Sequence, residues 1–119
     1  MNIRECYTRF GGDIDVVIKR IGKEERVVLC AKMFKEGNDY QLIEESFADG
    51  KLEEMFLNVH NLKGVSLNLG FTPLYMAADV LCEALRPGNP PVEKEEIEGM
   101  LKNVKDAYDI IIAALDELD

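Results

Sequence analysis

The sequence predicts an all-α protein: an up-and-down antiparallel four-helix bundle with a short N-terminal helical pair packed on it. Three observations predict this. Apolar residues recur at helical spacing, as in "VVIKRI" and "RVVLCAKMF", and Val and Ile never alternate with polar residues for long. Glycine, Asp-Gly and proline cut the chain into pieces of helix length. Apolar residues make up 47% of 119 residues, enough for one core and one domain spanning residues 1–119.

The elements follow in order. "NIRECYTRF" presents Ile3, Cys6, Tyr7 and Phe10 on one face and stops at Gly11-Gly12. "DIDVVIKRIG" has Asp13 as its N-cap and Gly22 past its end, with Val16, Val17 and Ile21 expected to face inward. A third helix runs from near Lys23 toward Lys35 on a stripe of Val27, Val28, Ala31 and Phe34. "EGNDY" then either separates two helices or bends a single long one. "YQLIEESFA" continues with Tyr40, Ile43 and Phe47 inward, and Asp49-Gly50 closes it. The next helix spans roughly residues 51–69 and is followed by Gly70. Thr72 is expected to cap the helix "TPLYMAADVLCEALR", with Pro73 at its first position and Leu74, Ala77, Ala78, Leu81 and Leu85 as its stripe. "PGNPP" at 87–91 cannot be helical. The last helix, about 92–118, repeats apolar residues at Ile97, Leu101, Val104, Tyr108, Ile111, Leu115 and Leu118.

Composition excludes several classes. A net charge of −9 opposes nucleic-acid binding, which needs a basic surface. No window approaches the roughly 18 uncharged apolar residues of a membrane span, so no membrane insertion is expected. The charged start "MNIRECYTRF" is unlike a secretion signal, and a cytoplasmic protein is expected. Cys6, Cys30 and Cys82 form no CxxC pair, and with a single histidine they cannot complete an ordinary structural zinc site. No metal site is expected, and the cysteines read as core or boundary thiols.

That single histidine is the informative residue. On a wheel of about 100° per residue, Leu52, Met55, Phe56, Val59, Leu62, Ser66 and Leu69 cluster as the core face, and His60 points roughly 120° away from its centre. Gly64, one turn on, costs about 1 kcal/mol against alanine inside a helix, which close approach by another molecule would explain. Leu57 and Leu67 are large apolar groups on the same outer face and suggest a docking surface, with contact to the N-terminal helical pair as the alternative. Lys63 can swing its ammonium toward the imidazole edge and meet an anion bound there. Neutral imidazole has a lone pair able to attack an electrophile, and a transferred phosphoryl group spreads its charge over three oxygens, one of which Lys63 could meet. The chain has no GxxxxGK[ST] nucleotide loop and no cluster of carboxylates near His60, so it would carry a phosphoryl group without making it.

The pattern H-x-x-K-G-x-x-x-x-x-G, carried by His60, Lys63, Gly64 and Gly70 with Leu62 at an apolar position, resembles the histidine-containing phosphotransfer (HPt) domain family. "GGDIDVVIKRI", the "MF" at 33–34 and "LGFTPLYMAADVLCEALRPG" extend the resemblance over nearly the whole chain. The resemblance implies that His60 is the phosphoacceptor, through Nε2, with Lys63 as charge partner and Gly64 as the clearance position. It implies a phosphorelay intermediate of two-component signalling, a carrier without kinase activity of its own. Its partners would be the aspartate-bearing receiver domain of a response regulator and a hybrid sensor histidine kinase, and Mg2+ would sit on the receiver. Arg86 falls where some members have a basic residue near the site. Leu67 departs from the small residue the family usually has there. The alternative function is a docking protein of the same fold that is not itself phosphorylated.

Overall fold

The polar and glycine punctuation translates into seven helices in a computed structural model that describes residues 1–119. They are α1 (Ile3–Phe10), α2 (Ile14–Ile21), α3 (Glu24–Glu36), α4 (Asp39–Ala48), α5 (Leu52–Asn68), α6 (Thr72–Leu85) and α7 (Lys94–Asp116), and no strand is present. Side-chain oxygens start the first two. The Glu5 backbone N–H donates to Asn2 Oδ1 at 2.8 Å and the Asn2 N–H to Glu5 Oε1 at 3.2 Å, a reciprocal capping box. Asp13 Oδ1 accepts from the Val16 N–H at 3.3 Å.

Between the two readings of "EGNDY", the backbone is a break. Gly37 is extended, at φ −78° and ψ 178°, so α3 and α4 are separate helices where one long helix was the other possibility. The inward face of α2 is also shifted by a step. Ile14 and Val17 are buried while Val16 is 47% exposed, because at about 100° per residue positions 14, 17 and 21 share one face and Val16 points about 100° away from Val17. Thr72 does not cap α6. It is the first helical residue, and its hydroxyl donates back to the Gly70 carbonyl at 3.5 Å.

α4 packs on α5, α5 on α6 and α6 on α7, while α1 lies against α7 and α2 against α3. One hydrophobic core of 26 buried residues, from Ile3 to Leu115, joins all of them. Its hub is Phe71, fully buried in the turn between α5 and α6. The Phe71 ring lies 5.9 Å from Tyr7, 5.2 Å from Phe10 and 5.0 Å from Phe34, edge-on or tilted as aromatic quadrupoles prefer. Phe34 passes the packing on to Tyr108, which stacks on Tyr40 at 4.8 Å. The buried Tyr7 hydroxyl donates to the Leu69 carbonyl at 2.6 Å, and the Cys6 thiol to the Ala114 carbonyl at 3.3 Å. Cys82 is buried, Cys30 partly so, and all three thiols are free. No helix is long and apolar enough to cross a membrane.

Candidate functional site

α5 divides its residues between four environments. Met55, Val59, Leu62 and Ser66 are buried against the core. On the α4 side, Asn58 Nδ2 donates to the Leu42 carbonyl at 3.2 Å, and Asn61 Nδ2 to Asp39 Oδ1 at 3.2 Å. The arc left over carries Leu57, His60, Gly64 and Leu67, spaced i, i+3, i+7 and i+10. On a helix that spacing keeps four residues within about 80° of arc. His60 is exposed, Leu57 is 63% exposed and Leu67 is 49% exposed. The imidazole therefore stands in a short apolar stripe open to solvent, as the wheel predicts.

Gly64 sets the clearance of this stripe. A Cβ built on it would meet nothing within 4 Å, so no neighbouring helix requires the glycine and the space beside His60 is open. Gly70 has a different purpose. Its φ of +66° lets α5 end in a Schellman turn, with the Phe71 N–H donating to the Ser66 carbonyl at 2.9 Å and the Gly70 N–H to the Leu67 carbonyl at 3.2 Å. A Cβ there would also lie 2.4 Å from Val17 Cγ2 of α2. The same turn is held by Arg20 of α2, whose Nη1 donates to the Leu67 carbonyl at 2.8 Å and the Asn68 carbonyl at 3.1 Å. The N-terminal helices thus engage the backbone of Leu67, while about half of the residue's surface remains free.

The flank facing α6 holds what the wheel did not foresee. Phe56, expected in the core, is only partly buried. Its ring lies parallel to the His60 imidazole, 3° between planes and 6.0 Å between centroids. The Arg86 guanidinium sits over the same ring at 5.6 Å, and also binds Glu83 at 2.7 Å. Leu52, likewise expected inside, is 45% exposed because it is the first residue of the helix. Lys63 does not turn to the imidazole: its Nζ lies 2.8 Å from Asp79 Oδ1 on α6. The hydrogen bond to Asp79 raises the Lys63 pKa, and the one to Arg86 lowers that of Glu83. Phe56 and Lys63 are seven residues apart on α5, and their partners, Arg86 at the C-cap of α6 and Asp79 within it, are seven apart in reverse order. That reversal fixes α5 and α6 as an antiparallel hairpin, with one basic residue a turn to either side of His60.

Asp79, Phe56 and Glu83 were missed by the sequence reading. Asp79 becomes visible only once the hairpin register is known, because its partner Lys63 lies on another helix; Glu83 pairs with Arg86 three residues on, a local spacing that the sequence does display. No group of His, Cys, Asp or Glu is arranged to hold a metal ion.

The Hpt domain family model matches residues 35–118. The chain belongs to the Hpt domain family. No curated protein and no solved structure gives a significant match. Hpt domains are helical bundles that take part in histidine phosphotransfer in two-component signalling, with receiver and kinase domains as their typical partners. Within this Hpt domain the matched segment begins near the end of α3 and takes in α4 to α7, including the whole stripe around His60. α1, α2 and most of α3 lie outside the match, yet they supply Arg20, Tyr7 and the tight packing at Gly70 that hold the end of the histidine helix.

Proposed function

We propose that this Hpt domain is a phosphorelay intermediate with His60 as its phosphoacceptor, working as one unit over residues 1–119. The observation that carries the reading is the position of the chain's only imidazole: exposed, in an apolar stripe, beside a glycine with open space above it. In the forward step the lone pair of an imidazole nitrogen attacks the phosphorus of an aspartyl phosphate on a receiver domain. The N–P bond forms as the P–O bond to the aspartate breaks, and the carboxylate leaves with the electron pair. The reverse step passes the group to the receiver of a response regulator, and a hybrid sensor kinase would stand upstream.

Lys63 and Arg86, a turn to either side and paired at rest with Asp79 and Glu83, would be the cations that meet the phosphoryl oxygens. Leu57 and Leu67 would meet the apolar surface of the visiting receiver, and Gly64 would admit its loop. The carrier needs no metal of its own, since Mg2+ belongs to the receiver's acidic pocket. The relay would run in the cytoplasm, where receivers and kinase output domains reside. The test is incubation with a phosphorylated receiver, followed by intact mass spectrometry. A mass gain of one phosphoryl group, lost in acid and absent in His60→Gln, is expected. A stable complex with no transfer from any receiver of the source organism would overturn the reading in favour of an unphosphorylated docking protein.

A further inference from the structure

We propose that Asp79 is a positioning residue that holds Lys63 away from the His60 phosphoryl group and thereby keeps that group transferable. The inference rests on His60 as phosphoacceptor and goes beyond it by assigning a residue that restrains the site.

Lys63 is the only basic residue of α5 after its N-cap, and it follows His60 by one turn. Its side chain is 21% exposed, so the aliphatic stem lies along the helix hairpin while the ammonium ends on Asp79. Asp79 is 42% exposed and can exchange its partner for water without burying a naked charge. In the resting protein the carboxylate therefore satisfies the cation. A dianionic phosphoryl group arriving on His60 has to compete for the same ammonium, and it also meets a fixed negative charge on α6. Both effects raise the energy of phospho-His60 relative to free imidazole. A carrier benefits from such a restraint: a phosphoryl group held too firmly would not move on to the next aspartate. Arg86 is restrained in a similar way by Glu83, but the contact is local, three residues apart on the same chain turn, and it leaves the guanidinium over Phe56.

The experiment loads the full chain with phosphoramidate. The imidazole nitrogen attacks phosphorus, the bond to the amide nitrogen breaks, and ammonia leaves after taking up a proton. Phosphorus NMR then follows the decay of phospho-His60 in water. Asp79→Asn is expected to lengthen the lifetime about two- to five-fold, the range a half-exposed ion pair can supply. Asp79→Glu, which restores a carboxylate, is expected to return it toward the native value. In a Lys63→Met background the Asp79→Asn change is expected to lose the part of its effect that runs through the ammonium and to keep only that of the bare charge, so the two substitutions are non-additive, a dependence that a merely structural role would not produce. An unchanged or shortened lifetime in Asp79→Asn, with native and variant both phosphorylated, would overturn the proposal and leave the phosphoacceptor assignment standing. No phosphorylation of the native chain at His60 would overturn both.

Discussion

Gly64 and Gly70 stand near the same end of one helix and answer to opposite demands. Gly64 has helical backbone and empty space beside it, so a side chain there gains helix propensity and loses nothing inside the molecule. Gly64→Leu is expected to raise stability by about 0.5–1 kcal/mol in urea unfolding, while phosphoryl transfer from a receiver falls steeply because the approach is blocked. Undiminished transfer would mean that the open space has another purpose. Gly70→Ala should do the reverse. The left-handed backbone costs about 1–2 kcal/mol for any residue with a Cβ, and the contact with Val17 adds to it. Unfolding midpoints of the two variants should therefore move in opposite directions. The motif reads both glycines alike; only their φ angles and neighbours separate them.

At the scale of elements, most helix limits were legible because their signals are local. Asp13, Gly11, Gly22 and the prolines after Arg86 act on the chain immediately beside them, and the helices start or stop where those residues say, while the Asn2 capping box went unread. His60 on the outer face was legible for the same reason, since a wheel uses only spacing. Phase and partnership were not. Val16 turned outward because the face that packs is the one shared by Ile14 and Val17, and in an eight-residue helix apolar identity alone does not distinguish Val16 from Val17. Lys63 found Asp79, and Arg86 found Phe56, because two helices packed antiparallel in a particular register. That register follows from the turn at 69–71 and from Phe71 beneath it. Phe71→Ala, which empties the centre of three rings, is expected to cost about 3–5 kcal/mol. Thermal unfolding would check this, and a loss below about 1 kcal/mol would show that the rings are not the hub described.

For the whole molecule, burial sets a pH limit. Desolvation raises the pKa of Cys6, Cys82, Tyr7, Tyr40 and Tyr108, and a hydrogen bond to Glu44 adds to the effect at Tyr40. These groups are neutral when protonated, and the folded chain keeps their protons longer than the unfolded chain does. Their contribution is complete below the ordinary thiol and phenol values of 9.0 and 10.0, and is lost as pH rises through and beyond them. The urea midpoint is expected to fall between about pH 8 and pH 11, with less change between about pH 6 and pH 8 from these groups. A flat alkaline limb would contradict the burial of the phenols.

The hub also bears on how the protein can be divided. Phe71 belongs to the segment that matches the family, but Tyr7, Phe10 and Phe34 all precede residue 35. A fragment trimmed to 35–118 would surrender every ring that shelters Phe71, together with the guanidinium that ties down the last carbonyls of α5. It would meet water with a bare phenyl group at the foot of the histidine helix, a sticky spot that invites self-association. Partner screens run on such a fragment would report that stickiness as well as any genuine recognition by the stripe around His60.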